Sequence, residues 1–243
     1  MCATARPARL SSRSSTASRA RLRLALGCAA WIGASAAHAQ VSGSVSLVSD
    51  YRFRGVSLSD GDPAVQAAVA YDHDSGLYLG LFASTVRLAT NRQTGFQTVG
   101  QAGYALRGLG GLSWDIGALY SGFSNPSDLG YVDYYVGVAS TEWSARLSYA
   151  PSYFGQLYSA LYAELNVTPR SEHALVPLLH VGWLTANPPP YYGSRSRWDG
   201  RFGLGYSHES LTLQLSWVTA SRAEGESGGQ RKSGWVLRLT AWL

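Results

Sequence analysis

The sequence predicts an all-β protein: a transmembrane, up-and-down antiparallel β-barrel of about 12 strands. Three observations carry this. Segments in which apolar and polar residues alternate recur along the whole chain. The connections between them are short and long in turn. The final segment, 235–243, puts Trp235, Leu237, Leu239, Ala241 and Leu243 on one face and Val236, Arg238, Thr240 and Trp242 on the other, because strand side chains alternate with period two. So apolar a strand aggregates when its edge is unpaired, and pairing with the first strand of a closed sheet removes that edge.

The N-terminal 39 residues read as a cleaved export signal. Arg19, Arg21 and Arg23 precede an apolar run from Leu24 to Ile32, and Ala37-His38-Ala39 forms an A-x-A cleavage signature before Gln40. The run is too short to span a bilayer as a helix. The domain division is therefore 1–39 signal and 40–243 barrel. Six of the 20 basic residues and both cysteines, Cys2 and Cys28, belong to the signal, which leaves 14 basic against 15 acidic groups. A near-neutral mature chain provides no basis for nucleic-acid binding. A chain without cysteine suits an oxidising compartment but takes no stability from disulfides. Ala25-Leu26-Gly27 lacks the usual leucine of a lipoprotein signal ahead of Cys28. Glycine and tyrosine are plentiful and Lys232 is the one lysine, a mix that suits strands, tight turns and aromatic belts.

Twelve strand-like segments follow: 41–54, 63–71, 77–86, 95–106, 112–123, 131–140, 143–150, 156–167, 174–184, 199–207, 211–219 and 234–243. Most are close to the 9–11 residues that a tilted membrane strand needs. Alternation is clearest in Val65/Ala67/Val69/Tyr71, Leu112/Trp114/Ile116/Ala118/Tyr120, Val132/Tyr134/Val136/Val138 and Leu211/Leu213/Leu215/Trp217. Segments three, four and nine are apolar on both faces. Short connections (72–76, 107–111, 141–142, 168–173, 208–210) alternate with longer ones (55–62, 87–94, 124–130, 151–155, 185–198, 220–233). Short turns at one end and long loops at the other are expected of outer-membrane barrels with periplasmic termini. On that topology Trp114, Trp143 and Tyr206 fall near the periplasmic interface. Tyr120, Tyr149, Trp183, Trp198, Trp217 and Trp235 fall near the outer one, as aromatic girdles do.

The opposite face carries Asp50, Arg52, Arg54, Asp115, Asp133, Glu142, Arg146, Glu164, Arg201 and Arg238, five acids and five arginines. In a barrel this face is the lumen. Either the charges pair into a network that packs a narrow interior, or they line a water-filled pore and tune its selectivity. Twelve strands lie between the closed eight-stranded and the open sixteen-stranded barrel, so both readings stand.

The stretch Ser46-Leu-Val-Ser-Asp-Tyr-Arg-Phe-Arg-Gly-Val-Ser-Leu-Ser-Asp-Gly-Asp-Pro-Ala-Val-Gln66, with Tyr71 and the Ser75–Ser84 hairpin, resembles the opening of the TorF-like porins, catalogued as Gcw_chp, bacterial proteins of unknown function. The match is specific over about the first 45 residues after the signal. Leu243 departs from the terminal Phe common in outer-membrane proteins. The resemblance implies an outer-membrane barrel of porin type and carries no substrate with it. In the motif, Asp50, Arg52 and Arg54 alternate with Tyr51, Phe53 and Gly55, which predicts charges inward and aromatics toward lipid. The Asp/Arg cluster either pins the first loop or forms the constriction that selects solutes.

Candidate catalytic groups are sparse. His73, His173 and His208 fall in periplasmic turns, His180 lies on an ambiguous strand, and no serine occupies a Gly-x-Ser-x-Gly turn. Asp72-His73-Asp74 reads as a solvated hairpin in preference to a metal site, and Arg107-Gly-Leu-Gly-Gly111 joins two strands, unlike a phosphate-binding loop. The expectation is a non-enzymatic porin in a Gram-negative outer membrane, without metal or cofactor, passing small hydrophilic solutes or ions. Its partners would be outer-membrane lipid and the barrel-assembly machinery. The alternatives are a closed barrel acting through its long loops, 185–198 and 220–233, and, behind it, a lipid-modifying enzyme.

Overall fold

The computed structural model describes residues 40–88, 93–108, 111–171, 174–188, 195–221 and 233–243. The export signal read over 1–39, and most of the two longest loops, lie outside the described residues. In chain order the strands are β1 (Gln40–Val48), β2 (Arg52–Phe53), β3 (Val56–Ser57), β4 (Ala64–Asp72), β5 (Leu77–Arg87), β6 (Thr94–Arg107), β7 (Ser113–Phe123), β8 (Tyr131–Ala139), β9 (Trp143–Ala150), β10 (Ser159–Val167), β11 (Leu175–Asn187), β12 (Ser196–His208), β13 (Leu211–Ala220) and β14 (Ser233–Trp242).

Twelve of these close into one barrel in which every neighbour is antiparallel and sequential, and β2 and β3 form a separate hairpin. Closure runs through β1 and β14, with Ser44 opposite Trp242 and Val48 opposite Arg238. The seam is finished by the Leu243 amide donating to Gly43 O at 3.0 Å and the Ser46–Thr240 hydroxyl bond at 2.8 Å. The final strand thus has both edges paired, which is what its apolar face requires.

The outward face is a leucine, valine and aromatic surface that only a bilayer can cover. Leu213, Leu215, Leu237, Leu239, Ile116 and Val181 are all exposed. The girdle residues point outward as expected, and Trp217 and Trp235 pack edge-to-face at 5.4 Å. Inward positions carry the polar and charged side chains together with buried Val86, Phe123, Leu178 and Leu184, so the alternation separates lipid from lumen along each barrel strand. The molecule is a transmembrane β-barrel, with its short turns at one end and its long loops at the other.

Two expectations are corrected. The first strand ends at Val48, six residues before the predicted 54. Alternation continues through Asp50, Arg52 and Arg54, but Arg54, Gly55, Asp60 and Gly61 all have positive φ, and the chain folds back on itself. Tyr51 and Phe53 consequently do not face lipid: Tyr51 is 1% exposed, inside the barrel. At the other end of the chain, β11 and β12 are each 13 residues long. Their loop shrinks from the predicted 185–198 to 188–195.

Candidate functional site: the lumen and its outer cap

The segment from Ser49 to Pro63 bends into the outer mouth and is built on one carboxylate. Asp50 accepts from Arg52 Nε at 2.6 Å, from Ser57 Oγ at 2.5 Å and from Ser59 Oγ at 3.2 Å. Backbone bonds from Leu58 N to Tyr51 O and from Arg87 N to Leu58 O tie the hairpin to itself and to β5. Tyr51 crosses to β6, where its hydroxyl donates to Gln97 Oε1 at 2.8 Å, and the Gln97 amide donates on to Ser121 of β7.

Arg54 reaches farthest. Its Nη2 donates to Asp133 Oδ2 of β8 at 2.8 Å, with side-chain exposures of 7% and 1%. The guanidinium also lies over the rings of Tyr162, Phe53 and Tyr153, 4.4, 4.9 and 5.3 Å from their centroids. Arginine suits this place because its flat, weakly hydrated cation stacks on rings while keeping a directed bond to a carboxylate. A second loop closes over the first. Its 3-10 turn Tyr153–Gly155 holds Phe154 at φ 51° and packs it against Phe53, Phe123, Tyr131 and Tyr153. Gly155 leaves space for Asp128 O of a third loop, which a Cβ would overlap. Three loops therefore make one aromatic cap that excludes water from much of the outer lumen.

Toward the periplasm two polar networks cross the wall. Asp115 of β7 accepts from Arg146 of β9 at 2.9 Å and from the Tyr78 hydroxyl at 3.1 Å, while Tyr78 and Tyr135 share a 2.6 Å hydroxyl bond. Arg146 also covers the Tyr135 ring at 4.1 Å. In the second network His180 Nε2 lies 3.0 Å from Asp199 Oδ1, and Nδ1 lies 2.8 Å from Asn166 Oδ1 and 3.9 Å from Glu164. Tyr162 donates to the same Asp199 carboxylate at 3.1 Å. Gly182 is paired with Asp199 across β11 and β12, and its missing Cβ leaves room for that carboxylate and for the Tyr162 hydroxyl.

Nine of the ten residues read as lumenal lie inside the barrel. Asp115, Asp133, Arg146, Glu164, Arg201 and Arg238 take the inward phase of their strands, while Asp50, Arg52 and Arg54 enter on the cap hairpin. Glu142 does not: it sits in the turn between β8 and β9, 45% exposed, and pairs with Arg170 at 3.5 Å. The sequence reading missed Arg197, because it began this strand at 199, and passed over Asp199, the first residue of that segment. A start at Ser196 puts Arg197, Asp199 and Arg201 on one face by simple alternation. His180 is lumenal. His73 bonds its own hairpin through Ser75, and the described residues contain no cluster of metal-ligating side chains.

At the outer end of the lumen the inward residues that are not fully buried include Arg197, Gly234 and Val236, on β12 and β14. At the periplasmic end they include Ser144, Arg146, Glu164, Asn166 and His180 on β9 to β11, with Ser42, Ser44, Ala70 and Gln101 on β1, β4 and β6. Arg201 and His180 are opposite one another across β11 and β12, where the two sets meet.

Three solved outer-membrane channels share this architecture. The NanC porin aligns at TM-score 0.55 and 12% identity over 83% of this chain and 98% of its own. The KdgM porin aligns at 0.51 and 10%, over 83% and 97%. The COG4313 outer membrane channel from Pseudomonas putida F1 aligns at 0.50 and 12%, over 86% and 96%. At these identities the likeness is one of fold. Comparison with curated protein sequences returns no match. Residues 32–232 match the family described as bacterial protein of unknown function (Gcw_chp), and the chain is a member of that family.

Proposed function

We propose that this barrel is a porin-like channel through which small hydrophilic solutes or ions diffuse, narrowed by its aromatic cap. The supporting observation is a line of inward polar residues that runs from the cap to the periplasmic end. They start beside the cap at Arg52 and Arg197, pass Arg201 and His180, and end at Glu164, Asn166 and Arg146. A solute following them meets charged or hydrogen-bonding side chains throughout, which replace part of its hydration shell. Passage is by size and charge and needs neither a cofactor nor an energy source. Arg52, Arg54, Arg146 and Arg201, with Asp50, Asp115, Asp133 and Glu164, set the dimensions and field of the route. Glu142 takes no part in it.

A closed barrel is the second reading, and the dry cap favours it, because Asp50, Tyr51 and Asp133 are all buried inside the mouth. Single-channel recording of the purified, folded protein in a planar bilayer decides between them. Discrete conductance steps that enlarge when Arg54→Ala frees the cap support the channel. A silent membrane for both proteins, with the barrel verifiably folded, moves the function to the surface loops.

A further inference from the structure

We infer that the outer mouth holds a binding site for small guanidinium cations, which Arg54 occupies as a tethered ligand. The site is built without the hairpin. Asp133 on β8 supplies a carboxylate that is 1% exposed, Tyr162 on β10 one ring face and Tyr153 on the second loop another. Each ring is fixed from elsewhere. The Tyr162 hydroxyl donates to Asp199, while Tyr153 packs edge-on against Tyr131 of β8 at 5.3 Å and its amide donates to Tyr158 O. Two ring faces beside a buried carboxylate suit a flat, weakly hydrated cation better than a compact ammonium.

Arg54 fills this site incompletely. It bonds Asp133 through Nη2 and Oδ2 alone, and Nη1 and Oδ1, both buried, have no hydrogen-bond partner among the described residues. A guanidinium and a carboxylate can make two parallel bonds, and this pair makes one. The tether is also strained. Arg54 sits at φ 48°, in the left-handed region, directly ahead of Gly55 at 79°. A residue with a Cβ stays there only because its surroundings hold it. A free guanidinium has no backbone to satisfy and can engage both oxygens of Asp133. It must displace Arg54 to do so, which makes ligand binding and a seated hairpin mutually exclusive. The ligand class is a small cation with a guanidinium head, and ethylguanidinium, the end of an arginine side chain, is its simplest probe.

The test is thermal unfolding of the folded barrel in detergent, titrated with ethylguanidinium and, as a control of equal charge, ethylammonium. R54A empties the site. Its Tm is expected to rise by about 3–6 °C with ethylguanidinium at ten times the dissociation constant. Ethylammonium should leave Tm unchanged, and so should ethylguanidinium in R54A/D133N. The wild-type protein should need about tenfold more ligand or beyond, because a competent state populated to a tenth or less weakens apparent affinity in proportion. No saturable shift in R54A, an equal shift from ethylammonium or in R54A/D133N, or an equal response in the wild type overturns the inference. Should R54A not fold alone, its folded yield on refolding reads the same site. Recovery with ethylguanidinium and not ethylammonium supports the site, and no recovery overturns it. None of these readings involves conductance, so a barrel that proves silent leaves the guanidinium site standing.

Discussion

The two halves of the lumen are enclosed by the same strands, yet they are filled by different means. In the outer half, loops supply the content: Tyr51, Arg54, Tyr153 and Phe154 all come from outside the barrel strands and form a dry aromatic layer. In the periplasmic half the strands fill the space themselves, through buried Asp115 and through Tyr78, Arg146 and His180, which keep partial contact with water. The two halves teach that burial, more than the kind of bond, sets what a lumenal charge pair is worth. Arg54–Asp133 and Arg146–Asp115 have nearly equal lengths, 2.8 and 2.9 Å.

Removing the arginine of each pair is the sharpest way to test that contrast. Arg54→Ala strands a buried carboxylate and strips the cation from three rings, a loss of about 3–5 kcal/mol in unfolding free energy. Arg146→Ala leaves Asp115 its bond from Tyr78, and water can enter the space of the removed side chain, itself 11% exposed. About 1.5–3 kcal/mol is expected there, the range for a hydrogen bond to a charged group. Urea unfolding in detergent, followed by tryptophan fluorescence, measures both. Equal losses would mean that the cap is no drier than the lower lumen.

Glycines refine the comparison within the cap. Gly55 and Gly61 have φ of 79° and 81°, so alanine costs both about 1–2 kcal/mol of backbone strain. At Gly55 the new Cβ would also lie 2.6 Å from Asp199 Cβ and 2.7 Å from that of Ala220. At Gly61 it would meet nothing within 4 Å. Gly55→Ala should therefore lose a further 1–3 kcal/mol through overpacking and push the hairpin off the β12–β13 wall. Gly61→Ala should leave it seated. Trypsin cleavage after Arg54 in the folded barrel reads the difference, rising for Gly55→Ala alone.

How much of this was legible in the sequence follows the same division. The strands, and the outward orientation of Leu213 or Trp235, could be read because alternation and the lipid boundary have the same period. The periplasmic half was legible for the same reason: Asp115, Arg146 and Glu164 lie on strands, and their inward phase follows from their neighbours. Arg197 fell out through one misplaced boundary, and Asp199 was overlooked at the edge of its segment. The cap was not legible. Asp50, Arg52 and Arg54 continue the alternation of β1, and only Gly55 and Asp60-Gly61 signal a turn. What bends the chain inward is Asp50 bonding to Ser57 and Ser59, seven and nine residues later, and Arg54 finding Asp133. Pairings across 79 residues leave no periodic trace.

The smallest effect tests the link between cap and wall. Tyr51→Phe keeps the ring against Phe82, 6.0 Å away between centroids, and removes only the hydroxyl that donates to Gln97. Gln97 retains its donation to Ser121, so a single acceptor, Oε1, is left without this donor in a place 1% exposed. The expected loss is about 1 kcal/mol, a neutral hydrogen bond with modest desolvation. The ring packing should still hold the hairpin, and trypsin sensitivity after Arg54 should match the wild type. If Tyr51→Phe instead opened the cap as Gly55→Ala does, the seat of the hairpin would be the β6 side through Gln97, and the arginine under its three rings would be secondary.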